Sequence, residues 1–502
     1  MRWNRQYIIM SYIRSSLWLA PFFAVLSYLV IHRITYGIGK WLLLTGRIDE
    51  TTAFLGLSMV GARTLLETTV TINLSFVVFT FGSLLVAIQI AGGQYTPRII
   101  ATTLLRDNAI RCTVGYFVFT LLFTLRVLTR MGGETVYQFN TFIAAVLGLV
   151  SIVVFLYLID YAARLLRPVS IVQRVGQSGI AVIQSVYPEL TTFPRLDESS
   201  GSSASPDLTV ERVGAAKIVL AGDLKELVAQ AGRAIRSVYS ESTTRPRPVE
   251  SSRRPAFPER TVAHKGTSGI VLAVDLKGLV RQARHADGMI EFVPQVGDFV
   301  AVGEPLFQLY GGASAIDDRQ LQAAVALGSE RTLEQDPTFA FRILVDIASK
   351  ALSPAINDPT TAVLAIDQLH RLLRLVGLRH VSREEICDKA GELRLVFRTP
   401  NWEDFVHLAC TEIRHYGAGS IQIMRRMLSM LENLMQTLPR HRHAELRQQL
   451  ALLDRTIEGH FTFAEDRALA RIADPQGLGG SLGVQPLIDA PGADAGRLND
   501  IK

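Results

Sequence analysis

The sequence predicts a membrane-anchored α+β protein: an N-terminal α-helical region of four transmembrane helices, followed by a cytoplasmic α+β region. Three observations predict it. Four apolar runs, Leu17–Ile31, Val70–Ala91, Cys112–Thr129 and Phe139–Ile159, fall before residue 160. Runs of ~17–25 residues match the ~30 Å hydrocarbon core of a bilayer. No comparable run follows. Beyond the runs, short strand patterns punctuated by glycine give way to helical periodicity toward the C-terminus.

The first run follows a basic start, with Arg2 and Arg5. No small-x-small cleavage pattern follows it; the chain continues His32-Arg33-Ile34-Thr35. It is therefore read as a retained helix rather than a signal peptide. Arg2, Arg5 and Arg14 precede the first run, Arg98, Arg106 and Arg111 lie between the second and third, and Arg164, Arg167 and Arg174 follow the fourth. This bias places both termini in the cytoplasm of a multi-pass protein in a bacterial inner membrane. The net charge of the 502 residues is only +6, with no long basic block, so no nucleic-acid partner is expected. Cys112, Cys387 and Cys410 show no framework spacing and suit a reducing compartment.

The soluble part divides at its punctuation. Residues 1–165 form the transmembrane domain, 166–311 a β-rich region with linkers, 312–473 a mostly helical domain and 474–502 a disordered tail. Asp197–Pro206 and Ser240–Pro258 are Ser-, Pro- and Arg-rich and read as flexible. Between and after them lies an internal repeat. Ile218–Ala231 and Ile270–Ala283 are identical at eleven of fourteen positions. Each copy reads as a short strand, an Asp at a helix N-cap and an amphipathic helix. The second copy runs into Gly288–Phe307, whose strands are broken by Gly297-Asp298 and Gly303. That segment resembles the barrel-sandwich fold of biotinyl and lipoyl carriers. Its attachment lysine is missing, so a structural module is expected and no cofactor.

Asp336-Pro337-Thr338 and Asp358-Pro359-Thr360 each place Asp at an N-cap and Pro at the first helical position. The first helix stops before Pro354 and the second ends at Gly377. A strand follows at Leu393–Arg398, then helices over about 402–416, 420–437 and 442–459.

Two signatures carry a family resemblance. Gln94-Tyr-Thr-Pro-Arg98 leads into Leu105-Arg-Asp107, and Phe341–Ala348 leads into Ser353-Pro-Ala-Ile-Asn-Asp-Pro-Thr-Thr-Ala362. Together they resemble the bacterial predicted membrane protein family classed as domain of unknown function 2254, from the first apolar run to about residue 437. The resemblance implies a four-helix membrane region plus a cytoplasmic domain. It implies no activity.

Three places could carry function. Thr69, Asn73, Thr80 and Ser83 share one face of the second run, extended by Ala87 and Gln94. Asparagine at bilayer depth needs a partner or water. The face reads either as a pore lining in an oligomer or as a packing surface between helices. Thr96-Pro97 breaks the helix and sets Arg98 at phosphate level, as a gate or interface or as a turn with a snorkelling arginine. Ser353–Thr361 reads as a ligand or oligomer-contact loop, through Ser353, Asn357, Asp358 and Thr360, or as a capped interhelical turn. His441 and His443, two apart among arginines, do not suit a metal. No Walker, GxGxxG, HExxH, paired CxxC or GxSxG pattern occurs, so no enzyme is expected.

The expectation is thus a homo-oligomeric channel or transport-like protein in the lipid bilayer, gated by its cytoplasmic domain through an ion or small-molecule ligand. The rival is a membrane-anchored sensory or interaction scaffold without transport.

Overall fold

A computed structural model describes residues 3–16, 19–44, 59–94, 107–130, 138–165, 167–187, 257–381 and 384–477. Pro97, Arg98, the first repeat copy and both Ser/Pro-rich segments lie outside the described residues.

Helix α1 (Trp3–Ser15) precedes α2 (Leu19–Leu44), α3 (Met59–Gln94), α4 (Asn108–Arg130) and α5 (Gln138–Leu165). The last four are long and apolar enough to cross a membrane, over Leu19–Ile38, Val60–Ile90, Asn108–Arg130 and Phe139–Leu165. Helix α3 begins well before its apolar run. Hydroxyls make this possible: Thr64, Thr68, Thr69, Thr71, Ser75 and Thr80 each donate to the carbonyl four residues back. A hydroxyl satisfied by its own helix can sit in hydrocarbon at little cost. The bundle interlocks through rings and close contacts. Phe76 stacks on Phe155 at 4.0 Å and tilts against Phe117 at 5.4 Å. Gly148 lets α5 approach α3 closely, because a Cβ there would lie 2.8 Å from Thr69 Cγ2.

Helix α6 (Pro168–Val186) leaves the bundle after a break at Pro168. Its apolar stripe, Ile171, Val172, Val175, Val182 and Ile183, is buried. It packs against α9 (Pro337–Ala351) and α10 (Pro359–Gly377), which are followed by α11 (Trp402–Tyr416), α12 (Ile421–Thr437) and α13 (His443–His460). Asp336 caps α9 and Asp358 caps α10, each accepting from the backbone N–H three residues on. Asn401 and Asp404 form a reciprocal capping box on α11. One apolar core runs from Leu84, Phe117 and Leu158 of the bundle through α6 to Phe341, Leu369, Phe405 and Leu431.

The β-rich part has a second core. Strands β1 (Arg260–Ala263), β2 (Gly269–Val274), β3 (Gly288–Phe292), β4 (Phe299–Val300), β5 (Pro305–Gly311), β6 (Val325–Gly328), β7 (Glu385–Cys387) and β8 (Leu393–Phe397) form two small sheets. Their orders are β1-β5-β3-β8-β7 and β4-β2-β6. The second repeat copy is β2, the cap Asp275 and helix α7 (Leu276–His285), with Gly278 N donating to Asp275, and the short helix α8 (Asp318–Gln322) lies between β5 and β6. Gly297 and Gly303 turn the chain at φ 96° and 90°. The β3–β8 pair is parallel and joins residues on either side of the expected boundary at 311. The boundary at 473 falls inside a packed turn: Asp474 is buried, and its carboxylate accepts from the N–H groups of Gln476 and Gly477.

Candidate functional site

The most connected polar site lies where the bundle meets the extramembrane helices. Asp107 stands just before α4 and caps it, accepting from Ala109 N at 3.0 Å and Ile110 N at 3.3 Å. Its second oxygen accepts from the Tyr161 hydroxyl at 2.5 Å and from Arg174 Nη1 at 2.7 Å. Arg174 also donates to the Tyr161 oxygen at 2.9 Å. One carboxylate thus ties the start of α4, the end of α5 and the middle of α6. The Asp107 side chain is 4% exposed and that of Arg174 36%. Burial works against the Arg174 charge, but its bonds to Asp107 and Tyr161 outweigh burial and raise its pKa.

A second tie lies nearby in the same junction. Lys350 Nζ, in the last turn of α9, donates to the Gly92 carbonyl at 3.0 Å, near the end of α3. The lysine satisfies a carbonyl that the helix end leaves open and suits the negative end of the α3 dipole. The Ser353–Thr361 loop follows directly. Its Ser353 hydroxyl donates to the Lys350 carbonyl, and Asp358 N donates to Ala351 O at 2.7 Å. Asp358 accepts from both Thr361 N and Thr361 Oγ1, so its carboxylate is spent on the cap. Asn357 sits in the left-handed region at φ 46°, exposed, with Ile356 and Thr360 exposed beside it. The arrangement is a capped turn placed beside the end of α3.

The polar face of α3 points into the bundle of its own chain. Asn73 and Thr80 are buried, and Ser83 is half-buried. Asn73 Nδ2 donates to Thr69 O at 2.9 Å, and Ser83 Oγ to Thr80 O at 3.0 Å. Gln94 is the last residue of α3, two residues after the Gly92 carbonyl that Lys350 holds. The end of α3 and the last turn of α9, from which the signature loop leaves, therefore meet at one end of the bundle. Asn73 Oδ1 and the hydroxyls of Thr120 and Thr124 are buried without a hydrogen-bond partner among the described residues. A path through this face would run between helices of one chain, not along an axis between subunits.

Beyond the junction, a cavity of about 230 Å³ opens between α1, the end of α6, the β-rich part and the start of α9. Trp3, Tyr187, Phe292, Phe397 and Pro337 line it. Sequence reasoning left Tyr161 unnamed, quoted Asp107 and Arg174 without a site role, and read Lys350 as a helix-face ion-pair partner of Asp346 and Asp367, which pair instead with Arg342 and Arg426. The signal for Asp107 was local, an Asp immediately before an apolar helix. The pairing of Asp107 with Arg174 spans 67 residues and left no trace in the chain.

The comparisons agree with this architecture. An uncharacterized protein of Mycobacterium bovis is 24% identical over 507 residues, covering 97% of this chain and 84% of its own. An uncharacterized protein of Mycobacterium tuberculosis matches to the same extent. No solved structure matches. The family model described as "Predicted membrane protein (DUF2254)" matches residues 14–433. With that match over most of its length, and with four apolar helices ahead of an α+β part, the chain belongs to that family of predicted membrane proteins.

Proposed function

We propose that the chain is a membrane-anchored sensory or interaction scaffold, whose four helices hold a cytoplasmic domain and feel its state. The continuous apolar core carries this reading. It joins Leu84, Phe117 and Leu158 of the bundle to α9–α12 through α6. Packed cores shift between discrete arrangements rather than bending freely, so a partner or small ligand held by the extramembrane helices has a rigid route to the bundle. The Asp107 and Lys350 ties lie on that route. The arginine bias supports cytoplasmic placement of both termini in a bacterial inner membrane. The reading assigns no reaction.

One observation favours the channel reading as the second choice. Asn73 Oδ1 and the Thr120 and Thr124 hydroxyls lie buried at bilayer depth without partners among the described residues, and such atoms call for water. Ion flux into liposomes containing the purified chain separates the two. The scaffold reading expects the leak of protein-free vesicles, unchanged by Asn73→Leu. Flux that needs the protein and shifts with Asn73→Leu would overturn it in favour of a channel.

A further inference from the structure

Helix α1 has two unlike sides. Trp3 and Tyr7 pack with Ile270 on Leu272, Ala273 and Ala326 of the three-stranded sheet. Asn4 N donates to Ala323 O at 3.2 Å, and the Tyr7 hydroxyl lies 3.4 Å from that of Thr332. This side docks the β-rich part. On the other side Ile8, Ile9 and Ile13 are exposed by 44%, 43% and 38%, and Met10 is exposed at the rim beside Trp3. The exposed polar residues, Arg5 and Gln6, stand in the preceding turn. Three isoleucines on two helical turns, with Met10 at their rim, make a surface that water disfavours.

Two further observations say what covers it. The chain itself leads to the bilayer: α1 ends at Ser15 and the first span starts at Leu19. Four residues reach at most ~14 Å, at ~3.5 Å each. Independently, Arg111 in the first turn of α4 donates through Nη2 to Ile13 O at 3.0 Å and to Ser16 O. The span of α4 starts at Asn108. The arginine therefore fixes the C-terminal end of α1 at the level where the bundle enters hydrocarbon.

We infer that residues 8–13 of α1 lie in the headgroup–acyl boundary of the bilayer, so that α1 clamps the β-rich part to the lipid surface. Helices that present an apolar side there sink ~5–10 Å into the boundary. Arg5, a turn further out, suits the anionic headgroups. The β-rich part is thereby held from two directions, its three-stranded sheet by α1 to lipid and its five-stranded sheet by β8 to the helical domain.

The test uses the full chain in liposomes of phosphatidylethanolamine and phosphatidylglycerol. A diazirine side chain replaces Ile9 or Ile13, and adducts are identified by mass spectrometry after irradiation. Val30, exposed on the first span, and Phe463, exposed in the extramembrane part, give the two reference levels. The expected result is lipid adduct at both positions near the Val30 level, on the order of tenfold above Phe463, as a shift of ~1.4 kcal/mol in occupancy gives. Adducts mainly to a second copy of the chain would overturn the inference, and so would solvent-quenched product at the Phe463 level. The same probe at Ile8 keeps the test decisive if one substituted chain does not insert.

Discussion

Removing the Asp107 carboxylate should loosen the bundle from the extramembrane helices. Asp107→Ala deletes an N-cap, worth ~1 kcal/mol. It also strips the acceptor from the Tyr161 hydroxyl and Arg174, at 2.5 and 2.7 Å. A buried polar group left unpaired costs ~1–3 kcal/mol. Arg174 is 36% exposed, so water recovers part of its share, and the lower half of that range applies. The sum is ~2–3 kcal/mol. Asp107→Asn keeps the cap and loses the charge, for ~1 kcal/mol. The decisive quantity is the coupling in a cycle of Asp107→Ala, Arg174→Ala and the double variant, followed by unfolding in lipid nanodiscs. We expect ~1 kcal/mol or more, because the two side chains touch directly. Coupling below ~0.3 kcal/mol, the additive limit for separate sites, would refute the reasoning that this cluster ties the junction.

Three further outcomes are expected. A Cβ at Gly179 would stand 2.9 Å from Ala340 Cβ and 3.1 Å from Leu372 Cδ1, so Gly179→Val should cost ~2 kcal/mol by overpacking. Gly176→Ala meets the movable end of Gln368 and should change the melting temperature far less. Burial holds the His370 imidazole below its ordinary value, with Arg426 and Arg374 acting the same way against Asn433 and Asp367. A lowered folded-state pKa means stability that is complete above the ordinary histidine value of ~6.5 and is lost as pH falls through it toward the folded value. Melting at pH ~7.5 and ~5.5 should therefore show a smaller difference in His370→Gln than in the parent chain. Burial pushes the Cys410 thiol up to about 12, so iodoacetamide at pH ~8 should modify Cys410 only after unfolding; modification of the folded chain at the rate of Cys387 would contradict a closed core.

Much of the fold was legible because its signals are local. Hydropathy finds the four spans, and Asp-Pro at N-cap and N1 finds the starts of α9 and α10 to the residue. The periodic helices α11, α12 and α13 begin within a residue of their expected positions. The misses have physical reasons. Helix α3 starts eleven residues before Val70, at Met59, since threonines that bond their own carbonyls lower hydropathy without breaking a helix. Helix α6 went unread within the expected β-rich region, although Pro168 and the Ile171, Val175, Val182 stripe announce it. At the candidate site the sequence gives the turn chemistry of Ser353–Thr361 and the polar face of α3. It does not show that Lys350 brings them together, because a lysine reaching a carbonyl 258 residues away has no local pattern.

The parallel β3–β8 pair sets the order in which this chain can be completed. In the sheet order β1-β5-β3-β8-β7, strand β3 lies between β5 and β8. Until residues near 397 leave the ribosome, β3 is an open edge with unpaired backbone groups, a template for pairing with another chain. The β-rich part is therefore not a unit that can be cut out at residue 311. A fragment ending there carries Ile290 and Phe292 on a bare edge, and it should aggregate where the full chain does not.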